Sequence, residues 1–472
     1  MQPSMFNVQV PLKQRGEVFL MNTVSDSQII VTPDVIELLE RAGMNVDDFT
    51  EAERETLEEL RRNGFVVESP EKERRDLASY FEAVREDTDQ LRVTVLTTLQ
   101  CNFACDYCFQ GDHGDHNKFA HKMSLDTAAR VVDWIEQRLD EIRPQSLNLM
   151  LFGGEPLLNL PVAYYLAERC HALCEARGIP QKLGIITNGL LLSEEIVDRL
   201  NPLGLNGIKI TLDGDKETHD RMRPLRGGQG TFDRIIDNVR KVAHKTFITI
   251  GGNFDESSVE SYPALLDFLR EQSFADDLGM INFKPIVREP RPEVPAGLIP
   301  LMAVAGDGKP LGGTCMTSAG AGMGGSSGSA CDNCHFADEA LSFLRNETRR
   351  RGFPTLDGVH MGPCEIHRRH AHTLGPDGSI YHCPGFTGEP SLSTGHIDGR
   401  DDAWRAAALE RFEALNPLKD ECGDCSFVPV CGGGCSVAAH TELGDMHTPS
   451  CHKGAFESAL VNLAHDAAAL HA

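Results

Sequence analysis

Three cysteines fall within eight positions of CNFACDYCFQGD, residues 101–112: Cys101, Cys105 and Cys108, separated by three residues and then two. Thiolates are metal ligands. A structural zinc takes four protein ligands in a tetrahedron. A [4Fe–4S] cluster has four irons to ligate, and with three protein thiolates it keeps one iron open. The spacing alone fits three arrangements: an open cluster, a zinc with a distant fourth ligand, or reduced thiols in a turn.

Three later loops bear on that choice. LFGGEP (151–156), TNG (187–189) and ITLDG (210–214) each close a strand-like run. The adjacent Gly153 and Gly154 let a ligand approach the backbone. Their carbonyls, with Glu155, suit an ammonium group; standing alone, the same four residues make a tight turn. Asn188, Thr211 and Asp213 add small polar groups at the same rim.

A second cysteine group lies downstream. Cys364 precedes Gly378-x4-Cys383, then come Cys422-x2-Cys425-x5-Cys431-x3-Cys435 and finally Cys451. Paired CxxC knuckles suit zinc. Seven thiols fit one zinc poorly and two almost, and they also fit two iron–sulfur clusters. Cys331 and Cys334 in CDNCHF, and Cys315, are further candidates. Cys170 and Cys174 stand four apart on a helix, a core spacing. His113, His116 and His121 read as a solvated loop.

These loops need a scaffold. LRVTVLTT, SLNLMLFGG, KLGIITNG, NGIKITLDG, FITIGGNF and MINFKPIV are six strand candidates, with helical stretches such as 124–142 and 160–178 between them. Alternating strand and helix predicts βαβ units on a parallel sheet. The expected fold class is α/β, a partial (β/α)6 TIM-like barrel over 91–300 with its loops at the C-terminal strand ends. Residues 1–70 read as a small α+β, winged-helix-like unit, 71–90 as a linker, and 301–350 as a Gly-rich linker and helix. A cysteine-rich unit fills 351–472.

The chain has 472 residues, 41% of them apolar and 24% charged, and a net charge of 45 − 70 = −25. That is a soluble, multidomain composition. The acidic balance argues against nucleic acid or an anionic membrane as partner. The N-terminus does not read as a signal peptide, and no window approaches a transmembrane length. The expected location is the cytoplasm, where fifteen cysteines are not a disulfide framework.

The order CxxxCxxC, GGEP, TNG and TLDG resembles the radical S-adenosylmethionine (SAM) superfamily. The stretch TLDGDKETHDRMRPLRGGQGTFDRIIDNV resembles its peptide- and protein-modifying branch. The resemblance covers about residues 90–290. It implies that Cys101, Cys105 and Cys108 hold a [4Fe–4S] cluster and that SAM completes it at the open iron. Tyr107 would lie near the adenine, and Gly153, Gly154 and Glu155 at the SAM amino group. Asn188, Thr211 and Asp213 would face its ribose or carboxylate. Reductive cleavage would then give a 5′-deoxyadenosyl radical that takes hydrogen from substrate.

The downstream cysteines resemble the SPASM extension of radical SAM maturases. That implies two auxiliary [4Fe–4S] clusters. Cys422, Cys425, Cys431 and Cys451 would hold the distal one. Cys364, Cys383 and Cys435 would hold the proximal one, its fourth position open or taken by Cys315, Cys331 or Cys334. Pro384 stands where sulfatase maturases carry a basic Asp, and CP here is seen in relatives that modify ribosomally made peptides. The resemblance therefore implies a precursor peptide as substrate, crosslinked or oxidised, and a flavodoxin or ferredoxin as electron donor. The sequence names no general base; Asp213, Glu389 and His382 are only the side chains within reach of that role.

Overall fold

The computed structural model describes residues 1–44, 48–108, 120–287, 332–360, 362–400, 402–419 and 422–470. Cys315, Cys331, the side chain of Cys334, His113, His116 and the Gly-rich stretch lie outside them.

The N-terminal unit begins with β1 (Gln2–Pro3), followed by an antiparallel meander of β2 (Asn7–Leu12), β3 (Glu17–Asn22) and β4 (Gln28–Val31). Two helices follow, Pro33–Glu40 and Glu51–Arg62. The second starts on a capping box, Thr50 accepting from the Glu53 amide while Glu53 accepts from that of Thr50, which satisfies two orphan donors of the first turn. β5 (Val66–Val67) closes the unit against β1. One face of the meander, Val8, Val10, Phe19 and Met21, is buried against Phe427, Val430, Phe456 and Leu460. The linker over 71–90 is mostly a packed helix, Pro70–Arg85, whose Leu77 and Phe81 join Phe6 and Val428.

Six parallel strands follow in sheet order: β6 (Gln90–Thr98), β7 (Ser146–Gly153), β8 (Gln181–Thr187), β9 (Leu205–Thr211), β10 (Ile248–Phe254) and β11 (Leu278–Pro285). All six match strands expected from the sequence. Alternate residues point to opposite faces. On β9, Ile208 and Ile210 join a large core beneath the helices, so Lys209 and Thr211 turn toward the barrel interior. The outer helices, including Leu125–Ile142, Leu160–Arg177, Phe232–Val242 and Tyr262–Arg270, bury the other face.

The barrel stays open, and its β6 edge is covered by the C-terminal unit. β12 (Ala371–Leu374) pairs parallel to Arg92–Val95 of β6, and β13 (Ser379–Tyr381) and β14 (Gly395–His396) extend the sheet antiparallel. The sheet therefore continues into the cysteine-rich unit. Strands of four, three and two residues carry too little periodicity to be read in advance.

Candidate active site and cysteine centres

The loop that leaves β6 carries the first three cysteines and is docked on both sides. Toward β7, the Gly154 amide donates to Thr98 O at 2.8 Å and the Glu155 amide to Gln100 O at 2.9 Å. Toward residues 223–226, the Ala104 amide donates to Pro224 O at 2.9 Å, and Arg226 Nε donates to Cys101 O at 2.9 Å. Phe103 is fully buried opposite Leu225 and brings its amide within 3.4 Å of Cys101 Sγ. Burial pushes the Cys101 thiol up to about 12 and that of Cys105 to about 11. Both are neutral thiols until a metal takes the place of the proton.

The room left by the two glycines is filled by this loop's backbone. A Cβ on Gly153, at φ +137°, would meet Thr98 O at 2.2 Å, and one on Gly154 would meet Gln100 O at 2.3 Å. Glu155 is completely buried. Its Oε1 accepts from the Leu157 amide (2.9 Å) and Thr187 Oγ1 (2.7 Å), and its Oε2 from the Asn188 amide (2.8 Å). Burial pushes this carboxyl up, against the pull of those donors. Glu155 thereby ties the loop after β7 to the loop after β8. Asn188 continues the chain of contacts: its Nδ2 donates to Asn102 Oδ1 at 2.7 Å and lies 3.9 Å from Cys101 Sγ.

Tyr107 turns its hydroxyl into a buried polar group at the ends of β9 and β10. The hydroxyl donates to Asp213 Oδ2 and accepts from Arg223 Nη1 at 2.5 Å. The Asn253 amide donates to Asp213 Oδ1 at 2.6 Å, and Asn253 Nδ2 lies 3.3 Å from the Tyr107 oxygen. The guanidinium of Arg223 sits 5.5 Å from the Phe103 ring centre. Burial pushes Asp213 up against the pull of Arg223. Around Arg223, burial is outweighed by Tyr107, Cys105 and Asp213, and its cationic form is retained.

Thr211 ends β9 on the interior face. Sequence reasoning singled out Tyr107 and Asp213 but missed Arg223, Asn253 and Asn102. The only signal for Arg223 was its place before Pro224 in a run already dense with charge.

The downstream thiols fall into two groups. Cys422, Cys425, Cys431 and Cys451 line one cavity, walled also by Phe427, Val428 and Phe456. Cys364, Cys383 and Cys435 neighbour one another closely enough for each negative charge to oppose the next, and burial pushes Cys383 to about 12. Lys284 at the end of β11 is near enough to pull Cys383 back down. Cys170 and Cys174 are buried in the core. Among the described residues, no three Cys, His, Asp or Glu side chains are grouped to hold a single metal ion. Of the reachable bases, Glu389 is exposed and accepts from Ser391, His382 stacks on Phe412, and Asp213 is held as above.

Six parallel strands carry a three-thiol loop at their C-terminal mouth, and residues 95–261 match the model of the Radical SAM superfamily. Among particular relatives, Fe-coproporphyrin III synthase of Methanosarcina barkeri is 27% identical over 180 residues, 37% of this chain and 40% of that one. GTP 3′,8-cyclase of Clostridium perfringens is 30% identical over 156 residues, 33% of this chain and 43% of that one. The chain thus spans about two-fifths of the length of these relatives. Among solved structures, native anSMEcpe with bound AdoMet superposes with a TM-score of 0.57 at 17% identity, covering 79% of this chain and 100% of that one. The same protein with a Cp18Cys peptide gives 0.56 at 16%, covering 80% and 99%. At these identities the likeness is one of fold. Both of these relatives are enzymes by name, a synthase and a cyclase. No described helix is long and apolar enough to cross a membrane.

Proposed function

We propose that the protein is a radical SAM maturase of the SPASM type, acting in the cytoplasm on a ribosomally made peptide to install a crosslink or an oxidation. The observation that carries this reading is the thiol loop 101–108, pinned by Glu155, Asn188 and Arg223 at the mouth of an open parallel barrel.

Cys101, Cys105 and Cys108 would hold the [4Fe–4S] cluster, with SAM at the remaining iron. When bound, the pair supplies a 5′-deoxyadenosyl radical. The chain's own part is to place and seal. Gly153, Gly154 and Glu155 would orient the SAM amino group through backbone already fixed against Thr98 and Gln100. Asn188, Thr211 and Asp213 would face its ribose or carboxylate, and Tyr107 its adenine. Phe103 fills the space behind the loop and keeps water from it. The cavity of Cys422, Cys425, Cys431 and Cys451 suits the distal auxiliary cluster, and Cys364, Cys383 and Cys435 suit the proximal one. A flavodoxin or ferredoxin would deliver the electron. The neighbour's structure with a Cp18Cys peptide supports a peptide as substrate.

The test is anaerobic reconstitution followed by iron and sulfide analysis. About twelve irons are expected, with about four lost in a Cys101/Cys105/Cys108→Ala variant. With a deuterated precursor peptide, deuterium should appear in 5′-deoxyadenosine. Zinc in place of iron, or no deuterium transfer from any peptide, would defeat the reading.

A further inference from the structure

The six barrel strands hold four cationic side chains, Arg92, Lys182, Lys209 and Lys284, and no Asp or Glu. In a chain with seventy acids this is a local reversal of charge. Arg92 is paired with Asp87 and Glu365, and Lys182 is exposed near the N-terminal start of β8, far from the mouth. Lys209 is different. It points into the barrel from the middle of β9, and among the described residues it makes no hydrogen bond and no ion pair.

Its ammonium has been given space. A Cβ on Gly251 would fall 2.6 Å from Lys209 Cε and 3.4 Å from its Nζ. Gly251 pairs with Thr211, two residues beyond Lys209, so the lysine leans toward the mouth where the thiol loop lies. Lys284 stands further up the neighbouring strand, paired with Asn253, and is exposed at the rim. Its charge is felt by both Lys209 and the Cys383 thiol, and β-strand pairing puts it on the same sheet face as Asn253, Gly251 and Thr211. Burial first, and Lys284 second, pull Lys209 down to about 8. A buried ammonium without an anion is costly, and an arriving carboxylate removes that cost.

We propose that Lys209 and Lys284 form a carboxylate site inside the barrel, and that it holds an acidic residue of the substrate peptide, by side chain or C-terminus. The substrate half of this rests on the maturase reading above. The competing source of a carboxylate is SAM itself, and the experiment separates the two.

The anaerobically reconstituted holoenzyme is treated briefly with an acylating reagent, and acylation of Lys209 is read by peptide mass spectrometry. The probes are N-acetylglutamate N-methylamide and its glutamine counterpart. At about four times its dissociation constant, the glutamate probe should lower Lys209 acylation about fivefold, while the glutamine probe and SAM alone leave it unchanged. Lys284→Met should raise the probe concentration for half-protection about threefold. Equal protection by both probes, or by neither, overturns the site. Protection by SAM alone assigns the lysine to the cofactor and overturns the substrate assignment. Glutamate protection combined with no deuterium transfer from any peptide defeats the maturase reading and leaves the carboxylate site standing.

Discussion

Arg223 Nη1 donates to the Tyr107 hydroxyl at 2.5 Å, and so grips the residue next to Cys108 from the opposite side of the barrel mouth. The same nitrogen lies 3.4 Å from Asp213 Oδ2. One cation thus sets the height of the thiol loop and neutralises a carboxylate that has no exposure to water.

Arg223→Met should therefore act on both. Removing one partner of a buried pair leaves an uncompensated charge and costs about 3–5 kcal/mol. Urea denaturation should show that loss. Iron retained after reconstitution should fall as well, because the loop loses its far anchor. Arg223→Lys keeps the charge but lacks the planar fork, so it should rescue stability in part. Wild-type stability in the Met variant would mean that Asp213 is held neutral by other groups.

Gly153→Ala places a methyl 2.2 Å from Thr98 O at φ +137°. The left-handed backbone alone costs about 1–3 kcal/mol, and the overlap with a strand carbonyl adds to it. The β6–β7 rungs near Thr98 must open, and the thiol loop departs from that rung. The expected result is loss of iron binding with a lowered midpoint of thermal unfolding, followed by circular dichroism. Gly178→Ala is a suitable control: it too has a positive φ, 66°, but its Cβ meets nothing within 4 Å.

The contrast between these glycines bears on what could be read in advance. The six barrel strands were legible because strand-like apolar runs alternate with helical stretches along residues 91–287. The thiol spacings are plain in the sequence, and the structure brings Cys422, Cys425, Cys431 and Cys451 to one cavity. The partner of each loop was not. GGEP suggests a ligand approaching the glycines, yet the closest approach is by Thr98–Gln100, a contact made across fifty residues. Arg223 was hidden because a cation in a charged surface helix and one folded into a buried group look alike in sequence. The docking of the N-terminal meander on Phe427 and Phe456 was hidden for the same reason: apolar alternation announces a buried face but not what covers it.

His219 and His372 are buried as neutral rings, and burial holds both down to about 3. His219 Nδ1 accepts from the Asp213 amide at 3.1 Å, and its Nε2 faces Thr231 Oγ1 at 3.1 Å, so the ring has no site for a second proton. His372 packs edge-on to Trp134 at 5.1 Å. In the unfolded chain both titrate near 6.5. Between there and about 3 the unfolded state binds more protons than the folded one, so stability falls as pH falls. Each ring should contribute about 1.4 kcal/mol per pH unit below 6.5. Denaturant titrations at a series of pH values from 7.5 to 5 measure the slope, and His372→Phe should reduce it. A slope unchanged by that substitution would place the acid sensitivity elsewhere.

Cys451 closes the four-thiol cavity from the far end of the chain, after the other three have been supplied within residues 422–431. If that cavity holds the distal cluster, Cys451→Ala should lower iron by up to about four per chain. The thiol loop at 101–108 is built from different elements, so SAM cleavage by a strong chemical reductant should persist while turnover with peptide fails. Loss of both together would indicate that the variant no longer folds, which the unfolding midpoint reports separately.

The edge of β6 makes the last case. Arg92–Val95 pair with Ala371–Leu374 on one side and with β7 on the other. A chain ended at residue 360 keeps all six barrel strands but strips β6 of its outer neighbour. Val93 and Val95 then flank a row of unpaired amides and carbonyls in the middle of an apolar strand. Such an edge pairs with other chains unless it is short, charged or covered. Arg130 also loses Asp398, whose carboxylate it now holds at 2.7 and 2.8 Å. The shortened protein should elute as aggregates in size-exclusion chromatography. Arg92→Glu with Thr94→Lys, charges placed on the half-exposed side of the bared strand, should lessen the aggregation. A monomeric truncated barrel without those changes would show that β12 is not needed to cover the edge.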